Sequence, residues 1–146
     1  MKISYIADTS LTNKSAYTYN VVKHCDAFSA RANKVSLLLP FLYQKISTKK
    51  IRKIFLLTSK KNFSIKYLLP FKTKNFIARL IFGYISAIYL RKNKSDIIIT
   101  RCYASSIFLS LFNISHYLEI HAELVGLTKF LMINMNYINS KYIPDW

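Results

Sequence analysis

The residues of this chain best suited to chemistry lie in one short stretch, His116 to Gly126 (HYLEIHAELVG), where Glu119 and Glu123 bracket His121. The whole sequence holds only six acidic residues, so two of them beside a histidine at the end of an apolar run concentrate proton donors and acceptors in one place. On a strand running to His121, Leu118 and Ile120 point to one side and Tyr117, Glu119 and His121 to the other, which puts acid and imidazole on one face two positions apart. Two readings fit. The pair faces a ligand, or Glu119 makes a structural hydrogen bond to a loop and His121 simply ends a strand.

Two other apolar runs end in the same manner. MKISYIA is followed by Asp8, Thr9 and Ser10, and DIII by Thr100 and Arg101. In an open parallel sheet the loops after neighbouring strands converge at the carboxyl edge, and ligands bind there. Three polar strand ends therefore point to a shared rim carrying Ser10, Arg101 and His121.

Other chemistries lack their residues. There is no G-x-S-x-G, no H-E-x-x-H and no P-loop motif. Cys25 and Cys102 have no C-x-x-C neighbour and no partners at metal-ligand spacing, so they read as free thiols in the core, and no metal site is expected.

The elements that must position these groups follow from periodicity. Met1 to Ala7 reads as a strand, followed by a polar loop (DTSLTNKS). From Ala16, the positions Tyr17, Val21, Cys25, Phe28 and Ala32 recur in steps of three and four, one face of a helix that Asn13 or Ser15 could cap. Val35 to Leu39, stopped by Pro40, is the next strand, at the spacing of a β-α-β crossover. Leu42 to Lys61 shows no clean period and reads as a short helix or an irregular excursion.

Phe63 to Leu69 resembles a strand ended by Pro70, and Phe76 to Leu90 is a helix apolar nearly all round. It is shorter than the about 20 residues of a membrane span and carries Arg79, so it is expected to be buried or to lie on a membrane. Asp96 to Thr100 is a strand of the kind buried on both faces. A helix over Tyr103 to Phe112, a strand over His116 to His121 and a helix over Leu127 to Tyr142 complete the chain. The order predicts a doubly wound α/β fold with a mostly parallel sheet, and 146 residues amount to a single domain.

Composition narrows the class further. The net charge is +16, and from Phe41 to Ser95 there are fourteen Lys or Arg and no Asp or Glu. Such a surface attracts polyanions. Nucleic acid is not the expected partner, because the aromatics fall at core-like spacing and no RNP-like, zinc-finger or GxxG motif is present. An anionic membrane surface, met by the Lys45 to Lys94 region, is the alternative reading for the whole chain, against a plain Lys-rich solvated face. With no signal peptide at Met1, a cytoplasmic location, peripheral on the inner face of the membrane if the basic face engages it, is expected.

Taken in order, MKISYIADTS with its following helix, KVSLLLP, DIIITRCYAS and LEIHAE resemble the N-terminal half of family 4 glycosyltransferases, retaining enzymes of the GT-B fold. The resemblance runs along almost the whole chain. It implies one Rossmann-like domain of two, binding mainly a glycan or lipid-linked acceptor, with the nucleotide-sugar bound by a C-terminal partner domain that neutralises the leaving diphosphate without metal or other cofactor. It implies that His121 approaches the donor sugar as the catalytic residue and that Arg101 matches an arginine at the preceding strand end. Ser10 to Ser15 correspond to the loop near the diphosphate, and Glu119 and Glu123 line the substrate side. Where the family's loop has a glycine pair this one has none, and Lys14 or the Ser15 hydroxyl would have to substitute. The family's C-terminal glutamate pair has no counterpart, so the expectation is an acceptor-domain fragment that transfers no sugar by itself.

Overall fold

A computed structural model describes residues 1–12, 15–40, 48–58, 62–70, 75–120 and 140–143. Six strands, β1 (Lys2–Ile6), β2 (Lys34–Leu39), β3 (Phe63–Tyr67), β4 (Ile97–Thr100), β5 (His116–Glu119) and β6 (Ser140–Ile143), form one sheet in the order β3-β2-β1-β4-β5-β6. Every pairing among them is parallel. The helices are α1 (Ala16–Ser29), α2 (Thr48–Ile54), α3 (Phe76–Lys92) and α4 (Tyr103–Leu111). This is a Rossmann-like, doubly wound α/β fold, and the chain direction across the sheet reverses between β1 and β4.

The strands are apolar without alternation because both faces of the sheet are covered. Ile3, Tyr5, Val35, Leu37 and Ile99 pack against Val21, Val22 and Cys25 of α1 and against Ile51 of α2. On the opposite face Ile6, Leu38 and Ile98 meet Phe82, Ala87 and Leu90 of α3 and Leu109 of α4. Cys25 and Cys102 are buried free thiols, as their spacing suggested.

Two local features explain how the helices seat. Ser15 caps α1, its hydroxyl accepting from the Thr18 amide at 3.2 Å and bonding the Thr18 hydroxyl at 3.0 Å. α3 and α4 approach closely along small residues. A Cβ placed on Gly83 would sit 2.6 Å from the Ala104 carbonyl carbon, and Ser86 and Ser105 hydrogen-bond across the same seam at 3.0 Å.

The excursion between β2 and β3 contains α2, whose Ile51 and the following Phe55 are buried. Asp26, buried on α1, accepts from the Thr58 amide and hydroxyl at 3.0 and 3.1 Å and ties that segment to the core. Two expectations need correction. The fifth strand ends at Glu119, with Ile120 already outside it. The helix expected over Leu127 to Tyr142 lies mostly outside the described residues, and its last three positions belong to β6. There Ser140 to Tyr142 pair with His116 to Leu118, so sheet pairing overrides the helical period read from sequence.

Candidate functional site

The reversal between β1 and β4 opens a crevice at the carboxyl edge, and a cavity of about 270 Å³ lies there. Asp8 enters it from the loop after β1, and Arg101 and Cys102 from the turn after β4. The first turn of α4 contributes Tyr103 and Ala104, α1 contributes Tyr17, and the start of α3 contributes Phe76, Arg79 and Leu80. Asp8 and Arg79 form an ion pair at 3.0 Å that spans the cavity wall.

Arg101 anchors the base of this edge. The β4–β5 register that sets Thr100 beside Leu118 brings Arg101 beside Glu119, and the guanidinium donates to one carboxylate oxygen. The Tyr5 hydroxyl of β1 donates to the other. His24 of α1 stands 3.5 Å away through Nδ1. On its other side the Arg101 guanidinium lies over the Tyr17 ring, 5.4 Å from the centroid. Its side chain is only 2% exposed, and Nε is buried with no hydrogen-bond partner among the described residues.

The electrostatics follow from this enclosure. Burial opposes the charge of Glu119, but hydrogen bonds from Arg101 and Tyr5, the Arg101 charge and His24 outweigh it and hold the carboxyl down at about 2. Burial pulls the Arg101 guanidinium towards its neutral form; the hydrogen bond to Glu119 and the surrounding phenolic and carboxylate groups reverse this and hold it above its ordinary value. Tyr5 is pushed up, first by burial and then by donating to Glu119, and burial raises Tyr17. Arg101 and Glu119 are therefore a pair charged throughout the neutral range and flanked by neutral phenols.

Of the residues singled out in the sequence, Ser10 and Arg101 follow the carboxyl ends of adjacent parallel strands, as expected. Glu119 ends β5 at the same edge, directed to Arg101 and Tyr5. The Ser10 hydroxyl bonds Thr12 Oγ1 at 2.5 Å within the loop, and Ser15 is engaged in the α1 cap. Lys14, His121 and Glu123 lie outside the described residues. Tyr5, Tyr17 and Arg79 were not read as site residues. The signal for Tyr5 was its phenol between the apolar Ile3 and Ile6 of β1, facing the same layer as Glu119; Arg79 was the one cation in the apolar run from Phe76 to Leu90. In comparison with known proteins, no family model and no curated protein matches this chain.

Proposed function

We propose that this chain is the acceptor-binding domain of a retaining GT-B glycosyltransferase, which moves a hexosyl group from a nucleotide-sugar to a glycan or lipid-linked acceptor. The observation that carries this reading is the cavity at the strand-order reversal, lined by the Asp8–Arg79 pair and the rings of Tyr17, Phe76 and Tyr103. Its volume of about 270 Å³ accommodates a single sugar unit. A pyranose presents hydroxyls around its edge and C–H groups on its faces. A carboxylate accepts from two adjacent hydroxyls, a guanidinium donates to others, and aromatic rings pack on the C–H face.

In this reading Arg101 and Glu119 are positioning residues. Their pair holds the end of β4 against β5 and fixes Tyr17 as one wall. The nucleotide-sugar belongs to a second Rossmann-like domain facing this edge, and His121 approaches the donor sugar from this side. The 146 residues alone then bind acceptor and transfer nothing.

Saturation-transfer NMR of the chain with a panel of pyranosides, short oligosaccharides and nucleotide-sugars tests this. The expected result is transfer to pyranose C–H protons of acceptor-type sugars, abolished in Asp8→Asn and in Arg79→Ala. Nucleotide-sugar binding with no response from any saccharide would overturn the assignment of the acceptor side, as would sugar transfer catalysed by the chain alone.

A further inference from the structure

α3 departs from the pattern of a surface helix. Its inner face is buried, through Ala78, Phe82, Gly83, Ser86, Ala87 and Leu90, and a surface helix then carries a polar outer face. Here the outer face is apolar as well. Phe76, Ile77, Ile81 and Tyr84 are 57%, 66%, 38% and 46% exposed. Ile77, Ile81, Tyr84 and half-buried Ile88 follow one another at steps of four, three and four, so they form a single stripe along the helix. Leu111, at the end of α4, which packs beside α3, is also exposed. A ridge of this kind on a soluble face marks a docking surface.

Charge identifies what docks. The stripe ends in Arg91 and Lys92, both exposed, and in the sequence Lys72 and Lys74 precede the helix. From Phe71 to Ser95 the sequence has six basic residues and no acidic one. A second copy of the chain would bring another +16 against this face. An anionic bilayer offers both complements at once, apolar depth for the isoleucines and negative headgroups for the cations at the two ends. No helix among the described residues is long and apolar enough to cross a membrane, which leaves α3 lying in the interface rather than spanning it.

We propose that the outer face of α3 docks this protein on an anionic lipid surface. Because Phe76, Arg79 and Leu80 also line the cavity, docking sets the cavity mouth beside the headgroups. The inference rests on the helix surface and not on what fills the cavity, so the saccharide experiment can fail while this one succeeds.

Co-sedimentation of the whole chain is compared on vesicles of phosphatidylcholine alone and of phosphatidylcholine with roughly a third phosphatidylglycerol. The chain is expected to pellet with the anionic vesicles and to be released as salt rises from about 0.1 to 0.5 M, as the headgroup field is screened. Ile77→Ser with Ile81→Ser, both solvent-facing, lowers the partition coefficient about tenfold or more. Leu56→Ser, which removes a still more exposed apolar side chain just beyond α2 on the opposite layer, leaves it unchanged. Equal pelleting on neutral and anionic vesicles, no pelleting of the wild-type chain, or pelleting indifferent to the paired Ile77 and Ile81 change would overturn the proposal. Self-association through the ridge in sedimentation velocity, lost in that same variant, would overturn it in favour of a second copy.

Discussion

Arg101, the first residue after β4, donates to the carboxylate of Glu119, the last residue of β5, and so ties two parallel strands at the edge where the sheet is open. Tyr5 of β1 donates to the same carboxylate, so one acid joins the ends of three strands. A charge pair this enclosed is costly to break, because removing one member leaves the other buried and uncompensated. Glu119→Gln is expected to lower stability by about 3–5 kcal/mol in urea unfolding. The double variant Arg101→Met/Glu119→Leu removes both charges and is expected to be less destabilised than Glu119→Gln alone. Single-variant effects that add to within about 0.5 kcal/mol would show that the two residues are not coupled.

The same carboxylate makes stability depend on acid. Glu119 sits at about 2 in the folded chain against an ordinary 4.5, so its contribution is fully present above pH 4.5 and is lost as pH falls towards 2. The size of that contribution is about 3 kcal/mol. His116 adds an earlier window. Burial lowers it below its ordinary 6.5, and the contact of Nδ1 with the Ile114 carbonyl at 2.9 Å only partly opposes this. That carbonyl can only accept, so Nδ1 carries the proton and Nε2 accepts from the Ser106 hydroxyl at 2.7 Å. Below pH 6.5 the unfolded chain takes up a proton that the folded chain resists, and stability falls. Urea midpoints between pH 8 and pH 3 should decline in two stages, the upper removed by His116→Gln and the lower by Glu119→Gln. A flat profile through pH 6 in the wild-type protein would contradict the neutral buried imidazole.

How much of this was legible in the residues divides along physical lines. The strands VSLLL and DIIIT and the helix from Ala16 announce themselves because burial on one or two faces imposes a pattern on consecutive side chains. The common edge of Ser10 and Arg101 follows from parallel order, which the alternation of strands and helices implies. The partners were not legible. That Glu119 would meet Tyr5, 114 positions away, depends on β1 and β5 flanking β4, which no local pattern encodes. Arg79 meets Asp8 only because α3 returns its first turn to the edge where β1 ends. β6 was misread because its strand state comes from pairing with His116 to Glu119 and not from its own composition.

The closeness of α3 and α4 gives a prediction in which two effects oppose. Alanine is the better helix former by about 1 kcal/mol, so Gly83→Ala would stabilise an isolated α3. In the fold, the new methyl would lie 2.6 Å from the Ala104 carbonyl carbon and 2.7 Å from its oxygen, both backbone atoms that cannot rotate away. Overpacking of this kind costs about 1–3 kcal/mol, so the net change is expected to be destabilising, read as a lower melting temperature. The helices must separate to admit the methyl, which lengthens the Ser86–Ser105 hydrogen bond, now 3.0 Å. Gly83→Ala with a melting temperature at or above that of wild type would mean that the seam can open freely.

Ser15 separates two roles that its position allows. Its hydroxyl accepts from the Thr18 amide and stands 3.0 Å from the Thr18 hydroxyl, which is itself 2.6 Å from Thr9 Oγ1. Those contacts make it the cap of α1 and, through Thr18, a tie to the loop that follows β1. A cap removed by alanine costs about 1 kcal/mol. Ser15→Ala should therefore lower the free energy of unfolding in urea by that amount. Ser15→Asp should retain most of the stability, since aspartate also caps and its charge suits a helix N-terminus. A ligand role makes a different demand. If the Ser15 hydroxyl held a diphosphate, aspartate would repel that anion although the fold survived. Nucleotide-sugar binding by the wild-type chain that is lost in Ser15→Asp, with stability restored, would give this residue the diphosphate role; restored stability with nucleotide-sugar binding unaltered would assign it to the helix.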